Sequence, residues 1–173
     1  MRLTRRSLTG LVAATLLLAA CTGAVPAEPD RTIYLVRHAE KQAGDDPSLT
    51  PEGAARARLL AETLADAGIA RIYSTDYART RETAAPLADF MSLPVDLYDA
   101  SDLTVFAAEL NSQSGRILVV GHSNTTPDLV GLLGGEPGAE INEAAEYDRL
   151  YVLRISGDTV ESELRRYGAP YQP

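Results

Sequence analysis

The sequence predicts a three-layer α/β/α sandwich around a mostly parallel central sheet. Short apolar runs rich in β-branched residues alternate with stretches of helical periodicity, and capping or turn residues separate them. The chain has 173 residues, 45% of them hydrophobic, which suits one domain with its own core. One cysteine allows neither an internal disulfide nor a cysteine-based zinc cluster. A formal charge of -8 argues against a nucleic-acid partner, which would require a basic patch.

The first segment, 1–20, reads as an export signal and not as part of the fold. Arg2, Arg5 and Arg6 precede the apolar run 11–20, which is too short for a membrane span. Leu18-Ala19-Ala20-Cys21 resembles a bacterial lipobox, which implies lipidation of Cys21 and a new N-terminus there. Thr4-Arg5-Arg6-Ser7-Leu8 is similar to a twin-arginine signal. Residues 21–30 then form a lipidated tether, and 31–173 the folded domain. The expected location is outside the cytoplasm, anchored by lipid to a bacterial membrane on its periplasmic or cell-surface side.

Within the domain, 32–36 (TIYLV) is a buried strand. Thr50 and Pro51 open a helix, as capping hydroxyl and first-turn proline. Its apolar face is Ala54, Ala57, Leu60, Ala61 and Leu64, and Gly68 marks its exit. A strand at 71–73 leads to a helix at 80–90. A strand at 95–98 leads to a helix at 102–110 with Ser101 as cap. The run 117–120 (ILVV) is the clearest buried strand, followed by a helix opened by Thr126-Pro127. The glycine-rich stretch 131–138 is a helix exit and loop, lacking the Gly-Lys-Ser/Thr of a phosphate-binding P-loop. Two strands, 149–155 and 159–166, meet at the turn Ser156-Gly157-Asp158.

Both histidines of the chain stand at strand ends, as Arg37-His38 after TIYLV and Gly121-His122 after ILVV. Open parallel sheets bind ligands beyond the carboxyl ends of their strands, so two strands deliver one imidazole each to a common edge. Arg37 precedes the first histidine, and Arg79 opens the helix after the second strand. Guanidinium forks hold planar anionic oxygens bidentately. Gly121 lets backbone approach a ligand closely, and helix N-termini near Arg79 and Thr126 add positive dipole ends. An electropositive pocket with two imidazoles suits phosphoryl transfer through a histidine nucleophile.

These segments resemble the histidine phosphatase superfamily, which includes phosphoglycerate mutases. Leu35-Val36-Arg37-His38-Ala39-Glu40-Lys41 is similar to its RHG signature, with Ala39 in place of glycine. Ser74 to Ala84 is similar to its S-x-x-x-x-R-x-x-x-T-A segment, Val119 to Asn124 to its second-histidine strand end, and Asp46 to Gly53 to the segment opening its first helix. The resemblance spans about 31–166 and favours the small bacterial phosphohistidine-phosphatase-like branch. It implies a phosphoglycerate mutase-like fold and a cofactor-independent, metal-free phosphatase acting on a phosphorylated small molecule or phosphoprotein. His38 would be the nucleophile, and Arg37, Arg79 and His122 would bind the phosphoryl oxygens and stabilise the transition state. The family's proton donor has no clear counterpart: the chain is too short after its third strand, and Ser123 follows the second histidine where acid phosphatases carry Asp. Asp99, Asp102 and Glu143 are the substitutes.

Other classes fit the residues less well. Gly121-His122-Ser123-Asn124-Thr125 nearly copies a serine-hydrolase elbow, but no histidine follows Ser123. A metal-binding lipoprotein using His38 and His122 would not place Arg37 and Arg79 beside a cation. A non-catalytic phosphate-binding lipoprotein and a mutase-like phosphotransferase are the alternatives to hydrolysis.

Overall fold

The computed structural model describes residues 28–172; the export segment, Cys21 and the first part of the tether lie outside them. Six strands form one sheet in the order β3-β2-β4-β1-β5-β6. In chain order the elements are β1 (Arg31–Arg37), α1 (Pro51–Leu64), β2 (Arg71–Ser74), α2 (Ala78–Met91) and β3 (Val95–Leu97). They continue with α3 (Leu103–Asn111), β4 (Gly115–Gly121), α4 (Thr125–Leu132), β5 (Arg149–Ser156) and β6 (Thr159–Arg166). The sheet is mixed. β1, β2, β3 and β4 run parallel, while β5 lies antiparallel to β1 and β6 to β5.

Alternation along β1 explains the layers. Ile33 and Leu35 point to one face, where they pack with Phe106 and Leu110 of α3 and Leu129 and Val130 of α4. Tyr34 and Val36 point to the other, among Leu60 and Leu64 of α1 and Ala84 and Leu87 of α2. With both faces covered, the central strands must be apolar throughout, which is why TIYLV and ILVV carry no alternation. Among the described residues, no helix is long and apolar enough to cross a membrane.

The helix starts differ in detail from expectation. Thr50 caps α1, its side chain accepting from the Gly53 N–H at 3.1 Å, with Pro51 at the first position. The cap of α3 is Asp102, which accepts from the Val105 N–H at 3.1 Å, and not Ser101. α4 begins at Thr125 behind Asn124, one residue earlier than Thr126-Pro127 suggests. Pro127 therefore sits third in the helix, where its missing N–H still costs no helical hydrogen bond.

Candidate active site

The pairing of β1 with β4 brings the histidines together. Arg37 is in register with Gly121, and the His38 N–H donates to the Gly121 carbonyl at 2.9 Å. The helices that follow these two strands lie on opposite faces, so the chain opens a crevice beyond their carboxyl ends. The two imidazoles meet there nearly edge to face, ring centroids 5.6 Å apart. Gly121 is required at this crossing, because a side chain on it would crowd the Tyr98 hydroxyl at 2.8 Å and the Thr126 hydroxyl at 2.9 Å.

His38 is buried and set up as a neutral base. Its Nδ1 lies 2.8 Å from the Ala39 carbonyl, which can only accept, so the proton resides on Nδ1 and Nε2 keeps its lone pair. Burial, followed by the positive charge of Arg37, the second imidazole and Arg79, pushes its pKa down to about 3 against the opposing pull of the Ala39 carbonyl. His122 is lowered to about 4, by burial first and then by Arg79 and Arg37. Its Nε2 lies 2.9 Å from the Thr75 hydroxyl, which bonds the Thr80 hydroxyl, itself directed at the carbonyls of Thr75 and Tyr77. Either partner can donate in the Thr75–Nε2 contact; when the Thr75 hydroxyl donates, the ring carries its proton on Nδ1 and has that N–H to offer an anion.

Arg79 is held on α2 by contacts that run back to the nucleophile. Thr83 donates to the Arg79 carbonyl at 2.7 Å and accepts from the Ala39 N–H at 3.0 Å. That shared hydroxyl is the physical content of the four-residue spacing between Arg79 and Thr83. Tyr77 occupies the cap position of α2 without capping it. Asp46, from the loop after β1, accepts from the Ala78 N–H at 2.8 Å and lies 3.7 Å from the Arg79 guanidinium. The N-terminus of α2, expected to face the anion directly, thus gives its first N–H to a carboxylate of the chain.

Arg37 is placed differently from the reading of its fork as an open phosphate clamp. Nη1 donates to the carbonyls of Asn142 at 3.3 Å and Glu146 at 2.9 Å, and Nη2 to that of Glu143 at 2.6 Å. The guanidinium lies 4.1 Å from the Tyr147 ring centroid. Its Nε, like the Nε of Arg79, is a buried donor with no partner among the described residues. Two unpaired buried N–H groups flanking the imidazoles fit an anionic ligand, since each costs about 1–3 kcal/mol unless something accepts from it.

The turn 142–146 is itself anchored. The Glu146 carboxylate accepts from the Asn142 N–H at 3.0 Å, from Arg149 at 2.6 Å and from Arg166 at 2.7 Å. Burial pushes this carboxyl up, but these hydrogen bonds outweigh it and hold it at about 2.

A cavity of about 790 Å³ opens over His38, Arg79 and His122. Asp99 and Glu143, two of the three expected acids, line it. Asp102 does not; its carboxylate caps α3. Asp46, Thr75 and Tyr77 fall in segments the sequence singles out without a role of their own, and Tyr147 has no local signal. Among the described residues, no group of three or more His, Cys, Asp or Glu side chains is arranged to hold a metal ion.

Fold and site together define an α/β protein whose strand-end crevice is lined by two neutral imidazoles and the Arg79 guanidinium, with Arg37 held by the carbonyls of the turn 142–146. Residues 33–100 match the family model of the histidine phosphatase superfamily (branch 1), and the chain resembles that superfamily in the segments around His38, Thr50 and Arg79. His122 lies beyond the matched stretch. The protein histidine phosphatase SixA, solved with tungstate, is 19% identical and superposes with a TM-score of 0.60 over 80% of this chain and 97% of its own. A phosphoserine phosphatase from Entamoeba histolytica is 16% identical, with a TM-score of 0.55 over 80% of this chain and 97% of its own. A mycobacterial glucosyl-3-phosphoglycerate phosphatase is 16% identical, with a TM-score of 0.59 over 82% of this chain and 100% of its own. These likenesses establish the shared fold. No curated protein matches the sequence.

Proposed function

We propose that the protein is a cofactor-independent phosphatase that hydrolyses phosphomonoesters or phosphoramidates through a phosphohistidine on His38. The observation that carries this reading is the His38 ring itself. Its Nδ1 proton is committed to the Ala39 carbonyl, and burial among positive groups keeps Nε2 unprotonated. Nε2 attacks phosphorus, Arg79 and His122 stabilise the charge on the equatorial oxygens, and the Nε of Arg37 supplies a further donor. Water then attacks the phosphohistidine and inorganic phosphate leaves. The known fold relatives act on different phosphoryl compounds, so the substrate class rests on the residues around the cavity. Purified protein (Thr22 onward) should hydrolyse aryl phosphates, and His38→Ala should abolish turnover. An unaltered rate in that variant would reject the reading.

We further propose that Cys21 carries lipid and anchors the enzyme to the outside of a cell membrane. Glu28 pairs with Arg116 at 2.9 Å, and Asp30 accepts from the Gly157 N–H at 2.8 Å, both near the start of β1. His38 lies beyond the other end of that 7-residue strand, about 23 Å away at roughly 3.3 Å per residue. An anchor entering at the start of β1 leaves the cavity facing away from the membrane. Cys21→Ser should release the protein from the membrane fraction; equal attachment would reject the anchor.

A further inference from the structure

We infer that Glu143 is the proton donor to the leaving group, an inference that rests on the phosphatase reading above. Hydrolysis of an ester through a histidine nucleophile expels an alkoxide unless an acid protonates it, and a positioned acid contributes about 10²–10⁴ in rate. Three carboxylates line the cavity: Asp76, Asp99 and Glu143. Asp76 is paired with Arg81. Asp99 is turned onto the Ser101 N–H at 2.8 Å, which holds it in the ionised form, below its ordinary range. The carboxyl of Glu143 has no hydrogen-bond or ion-pair partner among the described residues, so it alone of the three is uncommitted.

The backbone beneath Glu143 is fixed. Its carbonyl accepts from Arg37 at 2.6 Å, one residue from the nucleophile in sequence. The turn is closed by the Ala145 and Glu146 N–H groups on the Asn142 carbonyl, at 3.3 and 2.9 Å. The buried Glu146–Arg149 pair, only 3% and 6% exposed, locks its far end. An uncommitted carboxyl on an anchored turn, lining the same cavity as His38, is the arrangement a general acid needs. The engagement of Arg37 with three carbonyls then has a purpose, since it registers the acid to the nucleophile.

The proton accounting closes on these two residues. As the His38 Nε2 lone pair forms the P–N bond and the P–O bond to the leaving group breaks, the Glu143 carboxyl hydrogen passes to the departing oxygen. The alcohol leaves neutral. The resulting carboxylate takes a proton from the water that attacks phosphorus, the P–N bond breaks, and inorganic phosphate and neutral His38 are released.

The test is a leaving-group series measured on wild type, Glu143→Gln, Glu143→Asp and Asp99→Asn. Phenyl phosphate needs protonation of its leaving oxygen, whereas 2,4-dinitrophenyl phosphate releases a stable anion. Glu143→Gln should lower kcat/KM about 10²-fold on phenyl phosphate and at least tenfold less on the dinitrophenyl ester, and Glu143→Asp should recover part of the loss. An equal loss on both esters, or a leaving-group-selective loss in Asp99→Asn instead, would overturn the assignment while leaving the phosphatase intact. A wild-type protein that turns over no ester in the series would remove the phosphatase reading and this inference together.

Discussion

The carboxylate of Asp46 bridges the start of α2 and the guanidinium of Arg79, accepting from the Ala78 N–H at 2.8 Å and lying 3.7 Å from Arg79. The loop 41–49 supports it through the Lys41–Leu49 bridge and the Leu49 N–H, which donates to Glu82 at 2.8 Å. A helix whose own cap residue makes no capping bond is thus capped from a distant loop, and the same contact fixes a charged side chain of the site.

Asp46→Ala should therefore act twice. Loss of the cap costs about 1 kcal/mol of stability, read from chemical denaturation. Loss of the pairing should weaken tungstate binding several-fold, because Arg79 is no longer held. Asp46→Asn keeps an acceptor for the Ala78 N–H and should restore most of the stability but little of the affinity. If both variants bind tungstate as the wild type does, Asp46 is a cap and nothing more.

Arg79→Lys keeps the charge and loses the planar fork. The Nε of Arg79 is a buried donor without a partner among the described residues, and a lysine cannot replace its direction. We expect kcat/KM to fall by about 10² or more, the scale for loss of a preorganised donor. A variant within about threefold of wild type would show that Arg79 does not face the phosphoryl group.

Gly53 lies directly against the Glu40 carbonyl, where an added Cβ would clash with backbone. The first turn of α1 therefore presses on the loop carrying His38, and the Thr50 N–H donates to the same carbonyl at 2.9 Å. Gly53→Ala should destabilise by about 1–3 kcal/mol, the range for overpacking, and should lower kcat as His38 shifts. A fully stable, fully active Gly53→Ala would mean that this contact relaxes freely.

With 2,4-dinitrophenyl phosphate, whose leaving group needs no proton from Glu143, the acidic limb of the pH profile reports His38. Its neutral form is the nucleophile, and with a pKa of about 3 that form persists well below neutrality. An ordinary histidine would lose activity tenfold per pH unit below about 6.5. Once the ionisation of this ester is divided out, kcat/KM should stay level from about pH 7 to about 4.5. An acidic limb centred near 6.5 would show that the folded protein does not depress His38.

Much of this architecture is legible in the residues, for physical reasons. Runs buried on both faces, such as 32–36 and 117–120, must be apolar without interruption, and a histidine immediately after such a run can only lie at the sheet edge. The hairpin at Gly157-Asp158 is a local signal. Strand order is not local: nothing in the sequence of β4 says that it lies beside β1 and not at the sheet edge. Helix starts shift where two capping residues adjoin, as with Ser101 and Asp102. The engagement of Arg37 by the turn 142–146 joins residues more than a hundred positions apart, and a polar turn carries no periodicity that could announce it.

The measurement closest to the central claim is the site of covalent phosphoryl transfer. Protein mixed with excess aryl phosphate, quenched in alkali within one turnover and digested, should carry an acid-labile phosphoramidate on His38. His122→Ala should turn over far more slowly and place any label it forms on His38 as well. Label on His122 or Ser123, or no covalent species during turnover of a competent substrate, would contradict the account and favour another nucleophile or direct attack by water.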